Sequence, residues 1–142
     1  MDGDTPIQSI GDASVNTGIF VHSVLQKKPA GGTYVLCVVE SFTFQSYLDL
    51  WGEATGFAKE KGSATVVTIS NEDYRSLWPG FGDLMVEMNA FWATFRDRSW
   101  ETPLGTMPVD AREIMSAEDK NALQSTATAF QLDLAEYRKA IH

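Results

Sequence analysis

The spacing of apolar positions changes several times along the chain, and each change predicts an element. Residues 34–39, Tyr-Val-Leu-Cys-Val-Val, form an unbroken apolar and β-prone run, the pattern of a strand covered on both faces. Residues 19–26 alternate instead, with Phe20, His22, Val24 and Gln26 on one side and Ile19, Val21, Ser23 and Leu25 on the other. That pattern fits a strand with one partly wet face. Lys27 to Gly32 between them is turn-forming by composition, so 19–26 and 34–39 are expected to pair as an antiparallel hairpin.

Downstream, Phe44, Tyr47, Leu48, Trp51, Thr55 and Ala58 fall at helical spacing and predict a helix over about 42–61. Lys59, Lys61 and Gly62 place cations and a left-handed cap at its end. Residues 65–69, Thr-Val-Val-Thr-Ile, read as a strand. Together these segments outline a right-handed βαβ crossover with 34–39 and 65–69 parallel. Ser70-Asn71-Glu72-Asp73 matches a capped helix start. The helix it opens is short, because Pro79, Gly80 and Gly82 break the pattern.

A second helix is expected over about 83–98, where Leu84, Met88, Phe91, Trp92 and Phe95 make a wide stripe that must bury against something. Residues 99–115 form a long connection that Trp100, Leu104, Met107, Val109 and Ile114 anchor by packing down. Ser116 opens a final helix over about 117–141, whose seam of Leu123, Ala127, Phe130, Leu134, Tyr137 and Ile141 suits a sheet cover or a coiled-coil pair. The fold class expected is α/β or α+β: a small mixed sheet with three main helices, in one domain over 1–142 with residues 1–17 as an N-terminal arm.

Charge alters this picture in one respect. A net charge of −8 without any basic stripe repels phosphate backbones, so direct nucleic-acid binding is not expected. The same field would steer the chain toward a partner protein with a basic surface. The single cysteine, Cys37, excludes an internal disulfide and sits in the most apolar run, where an inert buried thiol is expected. The acidic start lacks the pattern of a secretory signal, and the apolar runs are far shorter than the ~20 residues of a membrane span. A soluble, cytoplasmic protein without membrane contact is therefore expected.

Candidate chemistry is sparse. In a parallel sheet, ligands favour the carboxyl ends of the strands, which here would carry Glu40 and Ser41 from one strand and Asn71, Glu72 and Asp73 after the other. Such a cluster suits a divalent cation or acid–base work, although helix capping alone would select the same residue types. His22 and His142 have no metal-ligand spacing, no Gly-x-Ser-x-Gly is present, and Pro79-Gly80-Phe81-Gly82 is a weak Gly-x-Gly. Neither a metal nor a cofactor is expected. Trp78, Phe81 and Trp100 fall in or beside breaker-rich loops, where large aromatics serve as interface anchors.

These features favour a non-catalytic protein-binding module of the inhibitor, immunity, adaptor or assembly type. Two alternatives stand beside it: a small enzyme or metabolite binder using the strand-end cluster, and a structural subunit that self-associates through 123–141.

Overall fold

Asp12 sets the start of the first long element. In the computed structural model, which describes residues 3–58, 60, 62–101, 105 and 107–140, its side chain accepts from the Ser14 backbone N–H at 2.9 Å and caps a helix, α1, over Ala13–Lys27. Before it runs β1, Pro6–Ser9. After it come β2 (Val35–Leu36), β3 (Glu40–Thr43) and α2 (Phe44–Thr55). The helices α3 (Asn71–Leu77) and α4 (Phe81–Phe95) follow, with a 3-10 turn at Arg96–Arg98. Then come β4 (Val109–Asp110), α5 (Ala111–Ile114), α6 (Ala117–Ala122) and α7 (Thr126–Ala140). The fold is mixed α/β, with two small two-stranded sheets: β1 pairs antiparallel with β3, and β2 pairs parallel with β4.

The expected hairpin of 19–26 with 34–39 is not formed, because 19–26 lies inside α1. The alternation of Ile, Phe and Val fits a strand locally, but the cap at Asp12 starts a helix seven residues earlier. The buried face of α1 is Asn16, Phe20 and Ser23, spaced i, i+4, i+7, and its two polar members conceal the helical period from a hydrophobicity reading. The segment expected as an arm thus supplies β1 and the first turn of α1.

Residues 65–69 are not a strand. β2 pairs with β4 instead, with the Val109 N–H donating to the Tyr34 carbonyl at 3.0 Å. Gln45 replaces a neighbouring strand for this segment: its side-chain oxygen accepts from the Val66 N–H at 3.1 Å, and its amide nitrogen donates to the Ala64 carbonyl at 2.9 Å.

The helix expected over 42–61 ends at Thr55, because Gly56 takes the left-handed conformation at φ 74°. Its expected stop signals Lys59 and Lys61 lie outside the described residues, as do Leu104, Ile141 and His142. The helix expected over 83–98 starts earlier, so that Phe81 and Gly82 belong to α4 and not to a loop. The helix expected over 117–141 is interrupted at Leu123, which is extended at ψ 133°, and Ser125 opens α7 by accepting from the Thr128 N–H at 3.1 Å. α7 then packs on α2, with Phe130 edge-on to Tyr47 at 5.2 Å, and does not cover a sheet face.

That interruption is held by a buried side chain. Asn16, fully buried, donates to the carbonyls of Ile10 and Gln124 at 2.7 Å each and accepts from the Gln124 N–H at 2.8 Å. Glu40 accepts from the Thr126 N–H at 2.7 Å, and Ser9 shares a 2.7 Å hydrogen bond with the Thr126 hydroxyl. Gly11, at φ +70°, lies so close that a Cβ there would stand 2.1 Å from the Gln124 oxygen. The neighbouring apolar core is small: Phe20, Ala111 and Met115, with Ile10, Val35 and Leu123 packed around them.

Two carboxylates complete the attachment of α1 and make it acid-sensitive. Burial opposes ionisation of Asp119, but hydrogen bonds from Ser116 and Ser23 and the His22 ring beside it outweigh this and hold its carboxyl below the usual range. The Ser14 hydroxyl does the same for Asp12. A carboxyl lowered in the folded state stabilises above its unfolded value and loses that contribution as pH falls through the folded value. The melting temperature is therefore expected to fall as pH drops below about 4. A flat profile across that window in thermal melts would contradict the assignment.

Candidate functional site

Several large apolar side chains are exposed at the junction of α3 and α4. Ser70 caps α3 by accepting from the Asp73 N–H at 3.0 Å, and Trp78 ends it with its ring 4.9 Å from that of Tyr74. Gly80, at φ +82°, turns the chain, and α4 returns against α3, with Gly82 close enough that a Cβ would meet the Arg75 Cα at 2.9 Å. Arg75 braces the pair by bonding Asp83 at 2.9 Å and Glu87 at 3.2 Å.

The expected stripe on α4 is only partly buried: Phe91 and Trp92 are half-buried, and Leu84, Met88 and Phe95 are exposed. Val86, Asn89 and Ala93, with Ala90, line a cleft on the side of the body, whereas Phe81, Leu84 and Met88, spaced i, i+3, i+7, are exposed. Leu77 and Trp78, just before the turn, are exposed too, so that Leu77, Trp78, Phe81 and Leu84 are each between 49% and 63% exposed, with Trp78 at the edge of the cleft. Monomeric proteins seldom leave large apolar patches uncovered. Glu72, Asp73, Asp83 and Glu87 lie in the same stretch of sequence, where Arg75, its single base, is bonded to Asp83 and Glu87.

Trp100 stands apart from these side chains. It is half-buried, edge-on to Trp92 at 4.8 Å, in a ring assembly that continues through Phe91 to Phe95.

The strand-end residues occupy different surfaces. Glu40 holds the start of α7 and lines a groove with Arg112 and Lys120; Ser41 donates to Gln8 across the β1–β3 pair at 2.7 Å. Asn71, Glu72 and Asp73 form the first turn of α3, and Asn71 lines the α4 cleft. The parallel pairing that was to bring the two groups together is absent, since 65–69 joins no strand. Among the described residues, no group of three or more His, Cys, Asp or Glu could hold a metal ion. Burial, and next the Asp110 carboxylate, push the Cys37 thiol up, which keeps it protonated and unreactive at neutral pH. No helix among the described residues is long and apolar enough to cross a membrane.

The cleft itself, about 560 Å³, lies between α4, the end of α3, the start of α2 and the segment 66–69. Thr5 and Asn89 are among its lining residues, and the Thr5 Oγ1 and Asn89 Nδ2 atoms are buried, closed to water, without a hydrogen-bond partner. Sequence reasoning missed both. Thr5 carries no signal beside Pro6, whereas Asn89 was visible as the polar member of an otherwise small-residue face at 86, 90 and 93. No protein-family model, curated protein or solved structure gives a significant match to this chain, so its function is argued from its own residues.

Proposed function

We propose that the chain is a protein-binding module that docks through the α3–α4 face. The observation that carries this reading is the exposure of Leu77, Trp78, Phe81, Leu84 and Met88 on one helical hairpin. Trp is among the residues that dominate binding energy when an interface covers them, and apolar neighbours exclude water around it.

The acids of this stretch, and a net charge of −8, select a partner whose apolar centre is ringed by Lys and Arg. They oppose a second copy of the same chain, whose identical patch would bring like charges together.

The test isolates partners from the source cells with the wild-type chain and with a Trp78→Ala, Phe81→Ala double variant, then measures binding of each purified partner. The expected partner has a basic rim, associates more slowly as salt rises, and loses roughly 30-fold in affinity for each truncated aromatic, from about 2 kcal/mol apiece. A partner bound equally by the variant would sink the proposal. So would sedimentation showing that the face is already covered in a homodimer.

A further inference from the structure

A second contact surface lies on α1, none of whose residues belongs to the α3–α4 hairpin. We propose that two copies of the chain associate through an antiparallel pairing of their α1 helices, with Ser14, Gly18, Val21 and Leu25 as the seam.

The sequence of α1 serves two faces. Asn16, Phe20 and Ser23 are its buried side, and the helical period puts Ser14, Gly18, Val21 and Leu25 opposite them. All four are exposed, Val21 at 53% and Leu25 at 66%. Their spacing of four, three and four residues is that of a heptad seam, the narrow stripe along which one helix packs on another. An apolar hollow of about 220 Å³ adjoins the seam, lined by Ile10, Thr17, Val24 and Cys37 together with Val21 and Leu25.

Charge identifies the occupant. In this chain 21% of residues are charged and the net charge is −8, which opposes self-association wherever the acids lie at the contact. From Ala13 to Gln26, however, α1 carries no Asp, Glu, Lys or Arg. A basic partner of the kind that the α3–α4 face selects finds no counter-charge on this seam, whereas a second copy meets no like charge there.

The order of the side chains sets the direction. About a two-fold axis between Gly18 and Val21, an antiparallel pair sets Leu25 of each copy against Ser14 of the other and Val21 against Gly18. Bulky then meets small in every layer. Nothing within the chain comes within 4 Å of where a Cβ on Gly18 would stand, so that space is open to the valine of the second copy. A parallel pair would set Leu25 against Leu25 and Ser14 against Ser14, crowding one half of the seam and leaving the other slack. Antiparallel helices also bring ends of opposite partial charge together. The Ser14 hydroxyl already donates to the Asp12 carboxylate at 2.6 Å, so covering it leaves no polar group unsatisfied.

Four layers make a short seam, and the dissociation constant is expected on the order of 10–100 µM. The experiment is sedimentation equilibrium of the full chain across concentrations that span this constant. A reversible monomer–dimer equilibrium is expected, tightening as salt screens the net charge, the opposite sign to the salt dependence of the partner at the α3–α4 face. Gly18→Leu fills the space reserved for Val21 of the second copy, and Val21→Glu sets two carboxylates close to the axis; each is expected to weaken the dimer roughly tenfold or more. Circular dichroism is expected to show α1 helical in both, since both positions face solvent within the chain. Adding Val21→Gly to Gly18→Leu empties the opposing layer and is expected to restore the dimer, which only the antiparallel register explains. The Trp78→Ala, Phe81→Ala variant is expected to dimerise like the wild type. A chain that stays monomeric, a dimer indifferent to Gly18→Leu and Val21→Glu, failure of the Val21→Gly rescue, or loss of the dimer in the Trp78→Ala, Phe81→Ala variant would overturn the proposal.

Discussion

Asn16→Ala is expected to lower stability by roughly 3 kcal/mol, about 10 °C in melting temperature for a chain of this size. The substitution removes three hydrogen bonds at once, two to carbonyls and one from the Gln124 N–H. It leaves those backbone groups in a place that water reaches poorly, which adds their desolvation to the lost bonds. The consequence extends beyond α1, since Gln124 is the residue at which α6 ends and α7 is about to begin. Losing its anchor loosens the joint between the Phe20 core and the α2–α7 pair. Asn16→Asp tests the chemistry: a carboxylate of the same shape cannot donate to the Ile10 and Gln124 carbonyls, so it is expected to fail similarly. Thermal melts in which Asp restored wild-type stability would show that shape, and not the amide, makes the link.

That polar joint also explains which parts of the fold were legible in the sequence. Local rules held where the information is local: Ser70 and Ser116 cap the helices their Ser-x-x-acid patterns announce. The α2 face that packs is close to the one its spacing indicates, with Tyr47 against Phe130. Period reading failed at 19–26, where the buried face of the helix is half polar and acquires its meaning from Gln124 and Asp119, 108 and 96 residues away. It failed again at 65–69, whose β-branched residues would suit a strand but pair with none of the four strands. Strand formation is a statement about neighbours, and β4, the neighbour β2 takes instead, is only two residues long.

Site legibility followed the same division. Trp78 and Phe81 were selected for standing near breakers, and the structure leaves both exposed beside the α3–α4 turn. The stripe on α4 was read as buried, and the structure splits it: Phe91 and Trp92 are half-buried among other rings, whereas Leu84, Met88 and Phe95 are exposed. Composition states that a face avoids water, but not whether the cover comes from the same chain. Here the cover within the chain goes to Gly82, Val86 and Asn89, and Phe81, Leu84 and Met88 stay exposed. Asp73 is engaged locally by the cap at Ser70, whereas Glu40 and Ser41 are held by Thr126 and Gln8, 86 and 33 residues away.

The geometry of the α3–α4 hairpin rests on Gly82, and two glycine substitutions of opposite sign test it. Gly18 lies in α1 with nothing within 4 Å of where a Cβ would stand, so Gly18→Ala is expected to stabilise by about 0.5–1 kcal/mol through helix propensity and reduced unfolded-state freedom. Gly82 has the same propensity to gain, but its Cβ would meet the Arg75 Cα at 2.9 Å and the Tyr74 carbonyl at 3.0 Å. Both are backbone atoms of α3, which cannot rotate aside, so the helices must separate. Overpacking of this kind costs about 1–3 kcal/mol and here exceeds the propensity gain. Gly82→Ala is therefore expected to destabilise by about 2 kcal/mol, to lengthen the Arg75 bonds to Asp83 and Glu87, and to shift the fluorescence of Trp78 as its ring leaves the cleft wall. Denaturant melts in which both alanines stabilised alike would mean that α3 is not seated on α4 at Gly82. The docking face and the cleft, which share that hairpin, would then lose their common frame.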